Sequence, residues 1–245
     1  MIYRYETVQK NYEDLASGRV LYNAHGTTSF PVRLASEILQ RCFGILESKG
    51  VKAPYSIYDP CCGGAYLLTT AGLLHGDKLS SVYASDINSD VLQIAEQNLS
   101  LLSAGGLHQR KEQIKEYIRL YDKASHKEAL ISADKLSGNL SLTSIGKVSV
   151  FPHDITNASP GSELPHAVNI VITDLPYGDI VTWKSESENP LTEFFEHVYE
   201  HLAAAQSVLA VIADKKQKLQ HEKFKRIDLS KAGKRQFAIF EPIKS

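Results

Sequence analysis

Short apolar runs rich in β-branched residues alternate along the chain with stretches whose apolar residues recur at helical spacing. The runs predict strands near Tyr55–Tyr58, Ser81–Ser85, Val148–Phe151, Ala167–Thr173 and Ser207–Ala213. In the fourth, Val168, Ile170, Val171 and Ile172 follow one another almost unbroken, as in a strand covered on both faces. Helical spacing predicts helices over Pro31–Lys49, Tyr66–His75, Ser89–Leu102 and Leu191–Leu202. The third of these carries Val91, Leu92, Ile94, Ala95, Leu99 and Leu102 along one side. Two later runs, near Phe224–Ile227 and Gln236–Phe240, have no helical stretch between them and predict an antiparallel hairpin at a sheet edge. Strand–helix alternation of this kind defines an α/β fold: a Rossmann-like seven-stranded, mostly parallel sheet with helices on both faces.

The polar, charged stretch 105–139 has helical spacing and interrupts the alternation between the second and third strands. It is expected to be an inserted helical arm. Residues 1–50 are expected to form an N-terminal helical extension, and the 245 residues one domain.

Composition narrows the field. Hydrophobic residues make up 43% and charged residues 22%, and no apolar run approaches the ~18 residues of a membrane span. Met1–Lys10 lacks an apolar signal core, so a cytoplasmic protein is expected. Cys42, Cys61 and Cys62 are an odd set with no CxxC spacing, so neither a disulfide framework nor a metal site is expected. The net charge of −1 is not that of a strongly basic nucleic-acid binder. Two stretches are locally basic, however: Arg110, Lys111, Lys115, Arg119, Lys123 and Lys127, and the span Asp214–Arg235, with nine Lys or Arg against three acids. Each is either a solvated face or a phosphate-binding surface.

Where the first strand hands over to its helix the sequence reads Asp59-Pro60-Cys61-Cys62-Gly63-Gly64-Ala65-Tyr66. Glycines there admit a ligand close to the backbone, and the helix start offers amides to an anion. Asp59 would repel a pyrophosphate but can pair with an amino group, which favours the methionine end of S-adenosylmethionine. Asp86, followed by Ile87, ends the second strand and can accept ribose hydroxyls. Asp154, followed by Ile155, ends the third and can accept from an adenine amine. The alternative for Asp59 and Asp86 is that they only cap the following helices. Arg33 can reach a cofactor carboxylate or a phosphate, or stand exposed on the first helical turn.

A second constellation, Thr173-Asp174-Leu175-Pro176-Tyr177-Gly178, ends the fourth strand. It resembles the Asp/Asn-Pro-Pro-Tyr/Phe motif of enzymes that methylate nucleobase amino nitrogens. Asp174 and the Leu175 carbonyl can accept the hydrogens of a delocalised amine and aim its nitrogen at the methyl group. Pro176 stiffens the turn and Tyr177 offers a stacking face. Trp183 and residues 179–189 follow, as a lid or as packing.

These motifs, with Phe30-Pro31-Val32-Arg33-Leu34-Ala35, Tyr66-Leu67-Leu68-Thr69 and Gly72-Leu73-Leu74-His75, resemble the avilamycin-resistance ribosomal RNA methyltransferases. The resemblance spans residues 24–213, inserted helices included. It implies methylation of a guanine in large-subunit (23S) ribosomal RNA with S-adenosylmethionine as donor. The Asp174 motif also looks like that of transfer RNA guanine-N2 methyltransferases, which points to N2. The sequence departs from the family pattern at Gly64-Ala65, where the family has Ser-Gly. Other readings are a DNA or protein amino-group methyltransferase, a nicotinamide oxidoreductase (disfavoured by Asp59 and the incomplete GxGxxG) and a non-catalytic RNA-binding module.

Overall fold

The computed structural model describes residues 1–23, 29–140, 142–157, 164–176 and 188–243. Their strands are β1 (Tyr55–Asp59), β2 (Leu79–Asp86), β3 (Lys147–Pro152), β4 (Ile170–Asp174), β5 (Val208–Asp214), β6 (Phe224–Ala232) and β7 (Arg235–Pro242). Together they form one seven-stranded sheet of order β3-β2-β1-β4-β5-β7-β6. The first five strands are parallel, and β7 runs antiparallel to both β5 and β6. The order turns back at β1: the chain builds outward through β2 and β3, then returns to place β4 on the other side. Ligands of such sheets bind at this reversal, outside the carboxyl ends of the strands.

The helices are α1 (Val32–Ser48), α2 (Tyr66–His75), α3 (Ser89–Ser100), α4 (Ala104–Tyr121), α5 (Ala124–Leu140) and α6 (Pro190–His201). Successive strand residues point to opposite faces, and this alternation sorts the core in two. Ile57, Ile170, Ile172, Ala210, Ile212, Phe237 and Ile239 pack with α1, α2 and α3. Tyr58, Val171, Leu209, Val211, Ala238 and Phe240 pack with Phe194, Phe195, Val198 and Leu202 around α6.

The two late runs form the expected antiparallel hairpin, joined by Gly233 and Lys234, with Gly233 at φ 63° as a two-residue hairpin turn requires. Of the two strands of the hairpin only β6 lies at an edge, because β7 is inserted beside β5 and is buried from Gln236 to Phe240. The fourth strand starts later than its apolar run. Ala167 has a positive φ of 55°, and Val168 makes an isolated bridge to Leu202 before regular pairing begins at Ile170.

The inserted stretch is an antiparallel helix pair, α4 and α5, reversing at a left-handed Asp122. It is not a projecting arm. Leu107, Ile114, Ala129, Ala133 and Leu136 belong to the core that contains α1 and α2. Residues 1–23 are mostly irregular, with one short 3-10 turn at Glu13–Leu15, so the helical extension expected over residues 1–50 reduces essentially to α1. The buried Glu37 carboxylate anchors this segment by accepting the amides of Arg4, Tyr5 and Glu6 at 2.8–2.9 Å, and it also pairs with Arg41 at 2.8 Å.

Candidate active site

Three carboxylates meet where the parallel strands end. Asp59 is the last residue of β1, Asp86 of β2 and Asp174 of β4. Asp59 is 2% exposed and accepts the Cys61 amide at 3.1 Å. Burial is the main reason its pKa is pushed up to about 7. The negative charges of Asp86 and Asp174 push the same way, against the Thr173 hydroxyl and the Cys61 amide. The three acids therefore share one electrostatic environment.

Asp86 organises the glycine turn. One carboxylate oxygen accepts the Gly63 amide and the other the Asn88 amide, both at 2.9 Å. Its carbonyl accepts the His153 amide at 3.1 Å, which ties the end of β2 to the loop that carries Asp154. The Asp154 carboxylate accepts the amide and the hydroxyl of Thr156, at 2.9 and 2.6 Å. The Asp154 charge also acts on the Cys61 thiol, as those of Asp59 and Asp86 do. Ile155 is buried in the α6-side core, whereas Ile87 is an exposed apolar side chain next to Asp86.

The turn leaves room for a ligand. Gly63 has φ 51°, and a Cβ placed on it would meet nothing within 4 Å. The Cys62 amide bonds the Ser85 carbonyl at 2.9 Å, and the Ser85 hydroxyl reaches the Pro60 carbonyl at 3.4 Å and the Tyr58 hydroxyl at 2.8 Å. No side chain caps α2 behind the turn, so the amides of its first turn suit a carboxylate. Cys61 and Cys62 have thiols held well above the usual range by burial and by Asp59 and Asp86. They are packing groups rather than thiolate nucleophiles. Among the described residues no group of three or more His, Cys, Asp or Glu side chains is arranged to hold a metal ion.

Arg33 and Tyr66, which the sequence offers as cofactor-binding residues, both contact the N-terminal segment. Arg33 donates through Nε and Nη2 to the Glu6 carbonyl at 3.1 and 2.7 Å, and its guanidinium lies 3.9 Å from the Tyr3 ring centre. The Tyr66 hydroxyl donates to the Tyr22 carbonyl at 2.6 Å and also contacts the Ser17 hydroxyl. The sequence reading passed over Asn98, which is fully buried. It accepts the Tyr22 amide at 2.7 Å and donates to the carbonyls of Tyr22 and Gly64 at 3.1 and 2.8 Å. The clue to it was a polar residue on the buried side of α3, between Ala95 and Leu99.

At the end of β4, the Leu175 amide bonds the Ile212 carbonyl at 2.9 Å and holds the Asp174-Leu175-Pro176 turn to β5. Arg235, the first residue of β7, brings its Nε within 3.9 Å of the Asp174 carboxylate. Tyr177, Gly178 and Trp183 lie outside the described residues.

A parallel sheet closed by an antiparallel strand, with its strand order reversing at β1, is the fold of a class I methyltransferase. The family model described as rRNA methyltransferase AviRa matches residues 1–235. The 23S rRNA (guanine(2535)-N(1))-methyltransferase of Streptomyces viridochromogenes is 36% identical over 243 residues, covering 95% of this chain and 93% of its own. Two structures of the rRNA methyltransferase AviRa from that organism superpose with TM-scores of 0.83 and 0.86, at 33% identity, covering 98% of this chain and 96% of theirs. The fold also matches TrmN from Thermus thermophilus, with a TM-score of 0.51 at 12% identity over 89% of this chain and 51% of that one. This chain belongs to the AviRa rRNA methyltransferase family.

Proposed function

We propose that the chain methylates N1 of a guanine in 23S ribosomal RNA, with S-adenosylmethionine as methyl donor. The observation that carries the reading is the convergence of Asp59, Asp86 and Asp174 at the carboxyl ends of neighbouring parallel strands beside an open glycine turn. Clustered carboxylates suit a cationic amine and ribose hydroxyls and oppose a pyrophosphate. When bound, S-adenosylmethionine supplies an electrophilic methyl group on a sulfonium.

In this reading Asp59 faces the amino group, with Pro60, Cys61, Cys62, Gly63 and Gly64 forming the backbone cradle. Asp86 accepts the ribose hydroxyls, exposed Ile87 covers one face of the adenine, and Asp154 accepts from its amine. Asp174 and the Leu175 carbonyl hold the base edge. Pro176 fixes the turn, and Tyr177, next in sequence, is the stacking partner. Alignment and exclusion of water contribute most of the rate. N1 follows the name of the S. viridochromogenes relative. The N2 position expected from the Asp174 motif is the competing outcome.

Labelled donor, unmodified 23S transcript and nucleoside mass spectrometry test the proposal. The expected product is 1-methylguanosine, and N2-methylguanosine would move the target atom. Asp174→Ala is expected to abolish transfer while S-adenosylhomocysteine still binds in a calorimetric titration. Turnover equal to the wild type would remove Asp174 from the chemistry.

A further inference from the structure

We propose that Arg235 is a second catalytic side chain, which binds O6 of the guanine while Asp174 takes the proton from N1; this deepens the guanine-N1 reading and rests on it. The topology puts Arg235 in place. Because β7 runs against β5, its first residue falls at the carboxyl ends of the parallel strands: Arg235 pairs with Asp214, and Asp174 pairs with Ile212 on the other side of β5. Nε of Arg235 stands 3.9 Å from Oδ2 of Asp174, and the guanidinium lies 5.7 Å from the centre of the Phe30 ring. Both side chains keep about a quarter of their surface exposed, 27% for Arg235 and 28% for Asp174, so a ligand can reach each of them.

The spacing fits a shared ligand edge. At 3.9 Å these two atoms are beyond hydrogen-bond length. They set a donor beside an acceptor at a spacing that two neighbouring atoms of one ring can bridge. Guanine offers the complement there, an acceptor at O6 beside a donor at N1. Adenine offers the reverse, with an amine at C6 and an acceptor at N1. The same pair therefore selects the base.

The chemistry requires such a cation. N1 of neutral guanine carries a proton, and its lone pair is delocalised into the C6 carbonyl, so it is not a nucleophile. Removing the proton places negative charge on O6. A fixed positive charge at O6 favours that anion, and arginine supplies it because it stays protonated at every working pH. In the step itself, the N1 proton passes to the Asp174 carboxylate. The N1–carbon bond forms as the carbon–sulfur bond breaks, and that electron pair goes to sulfur, which loses its positive charge. Methylation quenches the charge on O6, and Asp174 then releases its proton to water.

The test is the pH dependence of kcat and KM on unmodified 23S transcript for wild type, Arg235→Gln and Arg235→Lys, with S-adenosylhomocysteine affinity as a second readout. Arg235→Gln is expected to lower kcat at neutral pH by about 100-fold, the usual cost of one oxyanion donor. Its kcat should then climb about tenfold per pH unit through the alkaline range in which the wild type has levelled off. RNA KM and S-adenosylhomocysteine affinity should hardly move, and Arg235→Lys should lie between the two profiles. A raised RNA KM with an unmoved pH profile would make Arg235 a phosphate contact and overturn the inference. Should Arg235→Gln fail to bind S-adenosylhomocysteine, Arg235→Lys decides: a profile identical to the wild type overturns the inference. A wild-type product other than 1-methylguanosine sinks the guanine-N1 reading and this inference together. 1-Methylguanosine with unshifted variant profiles sinks the inference alone.

Discussion

At the residue scale, Ala65 sits in the left-handed region at φ 55° where the chain turns from Gly64 into α2. The family pattern places glycine there. A left-handed conformation costs an L-residue roughly 1–2 kcal/mol, while a glycine adds entropy to the unfolded chain worth about half of that. Ala65 is fully buried, so Ala65→Gly also loses about 0.8 kcal/mol of methyl burial, and the net change is expected to stay within about 0.5 kcal/mol, read as a denaturant midpoint close to the wild type at constant slope. The sequence showed that a methyl group replaces a hydrogen at this position. It did not show the sign of φ, because alanine identity carries no dihedral information. The acids were easier to read: carboxylates at strand tips stand out against apolar strands. The burial of Asp59 was not, since it depends on what covers the tip.

That burial has a pH signature. An unfolded Asp ionises near 4, whereas folded Asp59 ionises near 7. The folded form holds its proton longer, so Asp59 contributes stability at acid pH that is lost as pH rises from about 4 through 7. A donor amine beside it favours the ionised carboxylate. S-adenosylhomocysteine is thus expected to bind more tightly at pH 7.5 than at pH 6, with proton release seen in calorimetry across buffers of different ionisation enthalpy. Asp59→Asn should flatten both trends, and a trend that persists in the variant would assign it to another group.

Among the elements, α3 is the one whose reading missed a function. Its apolar stripe was legible from Val91, Leu92, Ala95 and Leu99, and Leu92, Ala95 and Leu99 are buried. Asn98 lies on the same buried side and joins the glycine turn to Tyr22 through three hydrogen bonds. A buried amide whose partners belong to two distant segments leaves no local pattern, so periodicity could not reveal it. Asn98→Ala strands the buried Gly64 carbonyl and the part-buried Tyr22 amide, while the Tyr22 carbonyl keeps the Tyr66 hydroxyl, and should cost about 2 kcal/mol in denaturant titration. It should also weaken S-adenosylhomocysteine binding, because Gly64 loses its tether. Unchanged affinity at reduced stability would confine Asn98 to a structural role. The start of β4 was misplaced for a related reason. Val168 is as apolar as the strand that follows, but the positive φ of Ala167 holds it outside the ladder.

Across the whole molecule, the two basic clusters part company. In α4 and α5, Arg110 is buried against the Val20 carbonyl at 2.8 Å, and Lys111, Lys115, Arg119 and Lys127 pair with Asp134, Glu112, Glu116 and Asp122. Lys215, Lys216 and Lys234 are exposed and make no ion pair among the described residues, at the carboxyl end of β5 where the Lys215 amide meets the Lys234 carbonyl. Neutralising these three should reduce the slope of log affinity for RNA against log salt by about two to three. The matching triple Lys115→Ala, Arg119→Ala, Lys127→Ala should leave the slope unchanged, and the opposite result would return the RNA interface to the helix pair. Helical spacing alone offers the local pairs Lys115–Glu112 and Arg119–Glu116, but not Lys111 with Asp134, 23 positions away, nor the burial of Arg110.

The order of the sheet follows from alternation and motif placement only as far as β5. The position of β7 between β5 and β6 also orders events during synthesis. β6 leaves the ribosome first, yet its ladder partner is the strand made after it, so it waits unpaired until residues 235–242 emerge. The edge of β5 stays open for the same interval, and Arg235 arrives with the strand that closes it. A nascent chain halted before β7 lacks the cation beside Asp174, so the strand that closes the edge of β5 is also the one that brings Arg235 to the end of β4.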